Sequence, residues 1–520
     1  MNETGNEGER IGIVFGERVM DIRFRSLPDA AIQVGEMFMI EDGSEDRYLV
    51  RVTDVQHGAD LEPFDSLERM AGKLIRRESE VGVADELVVP LYKVGVCTPL
   101  GCIRAGAFKK AKSIPSHFSL VRRTADSDYE FLRSYLGDVE VGRLRSGDQV
   151  LRMPVGFWGW SMPHHIGIFA TTGMGKSNLM KDIALSCMRL RRYGFLILDP
   201  HGEYYDGGIA GKKGLRDYVQ QEGLEVFSSR RLDGPHNPLK ISATEIEIDD
   251  LANLYEFTQA QLECLQAAQW RYGPSYLIDL HRKDPETIGL ELGGRFHEGS
   301  INVIKRRLEN IFRFDLITTD PQYSITSRVI CALHSGKVVL IDTSNMFEAE
   351  ELLVSTVLAR AVFERNKSLY ADKQKFDSIP PLLIALEEAQ RVLSQSKGTV
   401  FAQIAREGRK FKVGICAVSQ QPKLINEEIL SQFNTLFVLG LSDKRDRDIL
   451  RNSAKHDLSV LDNEIQMLMP GEALLASPFT PFAVPIKVHL FEELLERENA
   501  KALEEKARKP NLTKVDAGFF

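Results

Sequence analysis

The sequence has 520 residues and a net charge of −8; 43% of the residues are apolar and 27% are charged. This composition is typical of a globular chain with two or three domains, and it excludes a generally basic nucleic-acid coat. No apolar run approaches the ~18 residues that cross a bilayer, and the polar start, MNETGNEGER, does not resemble a signal peptide. We therefore expect a cytoplasmic protein that does not enter a membrane.

Residues 10 to about 60 alternate between apolar and polar side chains, as in RIGIVFGERVMDIRF, VGEMFMIED and RYLVRVTDV. Short alternating runs separated by turns predict a small β-barrel. Further strand-like runs, ELVVPLYKVGVC and DQVLRMPV, follow, with a basic stretch between them. Cys97 and Cys102 are close in sequence, but no other ligands are spaced to complete a metal site with them. We expect residues 1–150 to form a barrel domain with an extension.

The pattern changes at about residue 155, where continuous apolar runs begin to alternate with helical patterns. Such runs predict an α/β fold with a mostly parallel sheet that is covered by helices on both faces. They read HIGIFA, FLILDP, KVVLIDTS, LLIALEEAQ, VGICAVSQ and NTLFVLGLS. We assign residues 151–490 to this domain, with a helical insertion over about 240–330, and residues 491–520 to a C-terminal helix and tail.

The stretch ATTGMGKSN, residues 170–178, predicts a phosphate-binding loop between a strand and a helix. It fits the pattern G-x-x-x-x-G-K-[ST] except that alanine stands at the first position. Backbone N–H groups of such a loop surround a phosphate, and the following helix N-terminus adds its dipole. We expect Lys176 to reach the β- and γ-phosphates of ATP and Ser177 to bind Mg²⁺. The expected nucleotide-binding residues are Thr172, Gly173, Met174, Gly175, Lys176, Ser177 and Asn178.

An acidic pair follows the apolar run LLIAL, where the carboxyl end of a strand is expected. Glu387 comes first, so we place it on the Mg²⁺ side of the site, although aspartate is more usual there. Glu388 is then able to orient or deprotonate the attacking water. The division of labour between the two stays open, and the alternative is an ordinary solvated helix start.

Polar residues also end two other predicted strands. Gln420 follows VGICAV and is placed to sense the γ-phosphate, unless it only caps a loop. Asp199, His201 and Glu203 follow FLIL, where open α/β sheets bind ligands, and we expect them to support the site without binding a metal.

The segment IAREGRKFK carries Arg406 and Arg409, three residues apart on one helical face. A solvated basic face is one interpretation of this segment. The other is an arginine that reaches the nucleotide of a neighbouring subunit and stabilises transition-state charge there.

Five motifs together resemble those of HerA, the hexameric DNA-pumping ATPase of the HerA–FtsK group. They are ATTGMGKSN, LDPHGEYY, LEEAQ, IAREGRKF and VSQQP, in that order, and the early strands resemble the small HAS barrel of HerA. Residues of about 10–490 take part in the resemblance. The family usually reads EEAH and TQRP where this chain has Glu387-Glu388-Ala389-Gln390 and Ser419-Gln420-Gln421-Pro422.

The resemblance implies a RecA-like core, a homohexameric ring and ATP-driven movement of double-stranded DNA through the ring, with ATP and Mg²⁺ as cofactors. It implies that Lys176, Ser177, Glu388 and Gln420 act within one subunit, and that Arg409, or failing that Arg406, acts from the neighbour. It also implies a partner at the barrel end, either a NurA-like nuclease in DNA repair or a sirtuin-like or nuclease effector in antiphage defence.

Two alternative functions stay open. The ring could be a nucleotide-switched scaffold that gates a partner with little DNA movement, or a protein-remodelling ring, which the lack of an evident aromatic pore loop disfavours. An acidic chain can still line a DNA channel with a few basic side chains per subunit. Candidates for that lining are Arg391, Lys397 and the basic residues between Lys444 and Arg447.

Overall fold

The structure is a computed structural model that describes residues 8–16, 18–43, 46–59, 91–208, 211–394 and 398–508. The described chain forms two compact units. The first contains residues up to Leu136, together with Gly142–Val155 and His456–Lys487. The second contains Gly137–Val141, Gly156–Lys455 and the residues from Val488 onward.

The first unit is built on a closed antiparallel barrel. Strand pairing in the order β2-β1-β7-β3-β4-β5 returns from β5 to β2, and β6 adds to β5 outside this ring. Alternate side chains point inward, so that Ile11, Phe24, Phe38 and Val50 form a common core with Cys97. The strands are β1 (Arg10–Val14), β2 (Ile22–Ser26), β3 (Met37–Glu41), β4 (Arg47–Ala59), β5 (Leu91–Arg104), β6 (Ala107–Lys109) and β7 (Leu120–Arg123).

A later segment of the chain completes the first unit. It carries the helix Asp462–Met467 and the antiparallel strands β20 (Glu472–Ala476) and β21 (Val484–Val488). Two other strands, β8 (Val139–Ser146) and β9 (Gln149–Phe157), have residues in both units. The buried carboxylate of Glu464 binds two buried arginines, Arg51 and Arg145, the latter at 2.9 Å. This ion triad ties the later segment to the barrel.

The second unit contains a parallel sheet in the strand order β13-β12-β16-β11-β17-β18-β10-β19. Its central strands are buried along their whole length, which explains their continuous apolar sequences. The strands are β10 (Ile166–Phe169), β11 (Gly194–Asp199), β12 (Leu224–Ser228), β13 (Asn237–Pro238), β16 (Val338–Asp342), β17 (Leu382–Leu386), β18 (Val413–Ser419) and β19 (Thr435–Leu439).

Helices surround this sheet. The helix Lys176–Leu190 is buried nearly all round between Leu179 and Met188, which includes the charged residues Lys181 and Asp182. The other helices outside the insertion are Thr326–His334, Glu348–Leu369, Lys373–Ser378, Val400–Glu407, Glu427–Leu430, Lys444–Ser453 and Phe491–Arg508.

The insertion between β13 and β16 is helical. Two short parallel strands, β14 (Ile241–Ser242) and β15 (Ile317–Thr318), pair across its base. Its helices are Ile248–Ala252, Gln259–Tyr272, Tyr276–Arg282, Pro285–Glu291 and Glu298–Phe312. The predicted fold class is therefore confirmed as an α/β core with a parallel sheet, an N-terminal small barrel and a helical insertion. In the part of the chain that the structure describes, every helix is too short or too polar to cross a bilayer.

Candidate nucleotide-binding site

The phosphate loop lies between the carboxyl end of β10 and the helix that begins at Lys176. Gly173 and Gly175 have φ values of 81° and 103°, in the left-handed region that favours glycine. Ala170 keeps a negative φ, so the missing first glycine causes no strain. The loop is anchored on both sides: the Ala170 N–H donates to the Ser419 carbonyl at 3.3 Å, and the Thr171 N–H donates to the Gly440 carbonyl at 3.0 Å.

Lys176 is positioned by its own loop. Its ammonium donates to the carbonyls of Ala170 and Thr171, each at 3.2 Å. Burial lowers the pKa of Lys176, and the nearby charge of Glu387 opposes that shift. Thr172 in the loop donates from its hydroxyl to the side-chain carbonyl of Gln420, which connects the loop to the end of β18.

The acidic pair follows β17, and its two members have different surroundings. Glu387 is half-buried, and removal from water raises its pKa to about 7. The Tyr204 hydroxyl donates to Glu387, which stabilises the charged carboxylate in part. The Glu388 side chain is 29% exposed, and the residue adopts a left-handed conformation with φ 47°. Its carboxylate binds Arg391 and lies 3.8 Å from Nε2 of His201.

The motif LDPHGEYY holds the loop after β11. The Asp199 carboxylate accepts four backbone N–H bonds, at 3.1, 2.7, 3.3 and 3.0 Å, from the residues 201–204. These bonds fold the loop back so that Tyr204 reaches Glu387 from a distance of 183 residues in sequence. Sequence analysis named the motif but did not assign this role to Tyr204.

The residues at which the chain departs from the family pattern contact each other. The Ser419 hydroxyl donates to the side-chain oxygen of Gln390 at 2.7 Å, and it accepts from the Gln421 N–H at 3.0 Å. These bonds hold the end of β18 next to the turn that carries the acidic pair.

One cavity of about 540 Å³ in the second unit unites most of these groups. Its wall includes the phosphate loop, the acidic pair and Gln420, because the carboxyl ends of parallel strands meet at one sheet edge. The wall also contains residues that sequence reasoning missed, since no local motif marks them: Lys181, Lys212, Leu490 and Phe491.

Asn178 also lines the cavity, and both ends of its amide are engaged by the chain. Nδ2 donates to the His489 carbonyl at 2.6 Å, and Oδ1 accepts from the Phe491 N–H at 2.9 Å. Asn178 therefore holds the segment 489–491 against the start of the phosphate-loop helix.

The predicted trans arginines lie away from this cavity. Arg406 ends the helix Val400–Glu407 and Arg409 precedes β18, so both are near the amino edge of the sheet. Arg409 lies near His164, which comes just before β10: burial lowers the pKa of His164, and the charge of Arg409 lowers it further. The length of β18 separates the two edges by about 20 Å. Neither arginine therefore serves the phosphate loop of its own subunit.

The candidate DNA-lining residues have different positions. Arg391 is partly exposed and pairs with Glu388. Arg447 is buried and donates to the carbonyls of Leu441 and Ser442, so its assignment to a channel surface is wrong. Lys397 lies outside the described residues.

The oxygen and nitrogen groups that line the cavity fit Mg²⁺ and a nucleoside triphosphate. A Cβ at Gly173 would meet nothing within 4 Å, so the hollow of the loop is open. The Ser177 hydroxyl and the Glu387 carboxylate are hard oxygen ligands, which Mg²⁺ prefers, and nucleotide sites complete its shell with phosphates and water. Within the described ranges no group of three or more His, Cys, Asp or Glu side chains forms a metal site on its own.

Known proteins resemble this chain over most of its length. A family model described as "Helicase HerA, central domain" matches residues 139–362. A DNA double-strand break repair helicase HerA of Sulfolobus acidocaldarius is 27% identical over 95% of this chain and 96% of its own length. A probable helicase of Methanocaldococcus jannaschii is 27% identical over 94% and 92%, respectively. Among solved structures, plasmid coupling protein TrwB with a GTP analogue aligns with a TM-score of 0.44 and 15% identity, covering 64% of this chain and 86% of TrwB.

Proposed function

We propose that this chain, which is similar to HerA helicases over most of its length, couples ATP hydrolysis to the movement of double-stranded DNA. The working form is a homohexameric ring with DNA in its central channel. A nuclease or effector partner acts on the DNA that the ring delivers, in end processing for repair or in antiphage defence. Two of the similar proteins are named as DNA double-strand break repair helicases, which favours a role in repair over one in antiphage defence.

One observation carries the catalytic part of the proposal: the phosphate loop and both glutamates line the same cavity. Lys176 and the loop N–H groups would hold the phosphates, and Ser177 and Glu387 would hold Mg²⁺. The bound metal neutralises charge that develops on the phosphates. Glu388 orients or deprotonates the attacking water, and its partial exposure lets water reach it.

Gln420 connects hydrolysis to motion. Its side chain lies against Thr172 of the phosphate loop and at the end of β18. Loss of the γ-phosphate at the loop therefore changes a contact that β18 transmits along its length. The far end of β18 adjoins Arg409, which in a ring faces a neighbouring subunit.

The position of Arg409 supports an assembled form. Because Arg409 and the phosphate loop lie at opposite sheet edges of one subunit, Arg409 stabilises transition-state charge only at a neighbour's site. A ring of identical subunits supplies such a neighbour at every site.

The test is ATP turnover by the purified chain with and without duplex DNA. We expect stimulation by duplex DNA, and we expect Lys176→Ala to abolish tight ATP binding and turnover. Lys375→Ala is a suitable control, since this exposed lysine pairs only locally with Asp372 at 2.9 Å, in a helix that lies outside the site. Turnover that duplex DNA does not change would instead support a nucleotide-switched scaffold and refute translocation.

A further inference from the structure

The ion pair between Glu388 and Arg391 joins the proposed catalytic base to a partly exposed arginine. Both residues belong to one tight turn, in which the Arg391 N–H donates to the Glu388 carbonyl at 2.9 Å. The side chains bind each other through Oε2 of Glu388, and they are 29% and 49% exposed, respectively. The base of the proposed reaction is thus held by a group that solvent and solutes can reach.

The pair ties one oxygen of Glu388 to a residue that is not part of the nucleotide-cavity lining. Glu388 lines the nucleotide cavity and also a second cavity of about 80 Å³ behind it. Arg391 lines that second cavity and a further one of about 300 Å³, and within the described chain it does not line the nucleotide cavity. The Oε2 oxygen of Glu388 is therefore held by a residue that does not line the nucleotide cavity, while Oε1 lies 3.8 Å from Nε2 of His201, which does.

A second carboxylate makes this arrangement easy to reverse. Glu351, half-buried on the helix Glu348–Leu369, lines the second cavity with Glu388 and Arg391. Burial raises the pKa of Glu351, the charge of Arg391 lowers it, and the charge of Glu388 raises it. The positive charge of Arg391 thus reduces the repulsion between the carboxylates of Glu351 and Glu388. If Arg391 binds another anion, Glu351 repels Glu388, which favours movement of Glu388 toward the nucleotide cavity.

We propose that Arg391 is a positioning residue that restrains Glu388 until a phosphate of duplex DNA takes Arg391 away. Guanidinium binds phosphate in the same forked geometry as carboxylate, so a DNA phosphate competes directly with Glu388. A partly exposed ion pair is weak enough for such competition. This inference rests on the proposed function, since it explains how bound DNA raises the rate of hydrolysis.

The experiment compares wild type with Arg391→Gln and Arg391→Lys, with saturating ATP, in the presence and absence of duplex DNA. In Arg391→Gln we expect basal kcat to rise roughly two- to fivefold, the range that a partly exposed ion pair spans, and DNA stimulation to fall by the same factor. Arg391→Lys retains a cation and is expected to keep most of the stimulation. The KM for ATP is expected to stay near that of wild type in both variants, because Arg391 does not line the nucleotide cavity.

Two further variants sharpen the test. Arg451→Gln removes an arginine from another exposed pair with (i, i+3) spacing, with Asp448 at 3.1 Å, and is expected to change neither rate. The double variant Glu388→Gln/Arg391→Gln is expected to lose the added basal turnover, because that turnover depends on Glu388.

The outcomes separate the inference from the proposed function. If duplex DNA stimulates wild type and Arg391→Gln by the same factor, or if the basal rate of Arg391→Gln falls, the restraint does not exist and the proposed function stands. If duplex DNA does not stimulate wild type, the proposed function fails, and the basal rate of Arg391→Gln still decides whether Arg391 restrains Glu388.

Discussion

Replacing Glu387 by glutamine should stabilise the second unit at alkaline pH, while it also removes a proposed Mg²⁺ ligand. Burial raises the pKa of Glu387 from 4.5 to about 7. The folded protein therefore holds this proton more tightly than the unfolded chain does, and stability falls as pH rises from about 4.5 through 7. Glutamine carries no charge and avoids this loss, while its side-chain oxygen can still accept the hydrogen bond from Tyr204.

The size of the effect follows from the shift. A difference of about 2.5 pKa units, at about 1.36 kcal/mol per unit, corresponds to about 3 kcal/mol of lost stability when the carboxylate is fully charged. The variant should therefore exceed wild type by up to about 3 kcal/mol at pH 8. At pH 5 both forms are largely neutral in the folded state, and the advantage should be below about 1 kcal/mol.

Urea unfolding without nucleotide, followed by tryptophan fluorescence at pH 5 and pH 8, measures this difference. All three tryptophans of the chain, Trp158, Trp160 and Trp270, lie in the second unit, so the signal reports on the unit that contains Glu387. Glu388→Gln is the matched control, because it breaks only a partly exposed ion pair and costs at most about 1 kcal/mol. An advantage of Glu387→Gln that is equal at both pH values, or a loss of stability at pH 8, would refute the reasoning.

Three other changes test the remaining assignments. Glu388→Gln should bind ATP in a filter assay but leave it uncleaved, and fast turnover by this variant would show that another group activates the water. Arg409→Ala should bind ATP normally and lose turnover; monomers that hydrolyse ATP as fast as the assembled protein would show that no neighbour's arginine is needed. Glu464→Ala strands the buried Arg51 and Arg145 and should destabilise the first unit by about 3–5 kcal/mol, seen as faster amide hydrogen exchange in the barrel strands; unchanged exchange would contradict that role.

Features that depend on contiguous residues could be predicted from the sequence. The phosphate loop is a short strand–loop–helix unit whose glycine positions report its backbone conformation directly. Continuous apolar runs marked the parallel strands, because both faces of those strands are buried. Alternation of apolar and polar residues marked the barrel strands, because only one face of each strand is buried. The role assignments of Glu387, Glu388 and Gln420 stay predictions, since geometry alone does not measure reactivity.

Contacts between distant parts of the chain could not be predicted in this way. Tyr204 reaches Glu387 only because the Asp199 carboxylate folds the intervening loop, and no local pattern encodes that path. The segment 489–491 is held beside the cavity by the amide of Asn178, among other contacts, whereas the motif alone assigned this residue to nucleotide binding. Arg447 looked like a channel cation because its neighbours are charged, whereas its buried side chain donates to the backbone carbonyls of Leu441 and Ser442.

Two of the three positions that depart from the family pattern, Gln390 and Ser419, form one physical feature. A hydroxyl at Ser419 and an amide at Gln390 make a single hydrogen bond of 2.7 Å, so each residue satisfies the other. Because Ser419 also accepts from the Gln421 N–H, this bond fixes the backbone on which Gln420 stands. Gln420 in turn contacts Thr172 of the phosphate loop. Two hydrogen bonds, joined through the backbone of residues 419–420, therefore connect the turn of the acidic pair to the phosphate loop, and a substitution by alanine at either Ser419 or Gln390 would leave the other side chain without this partner.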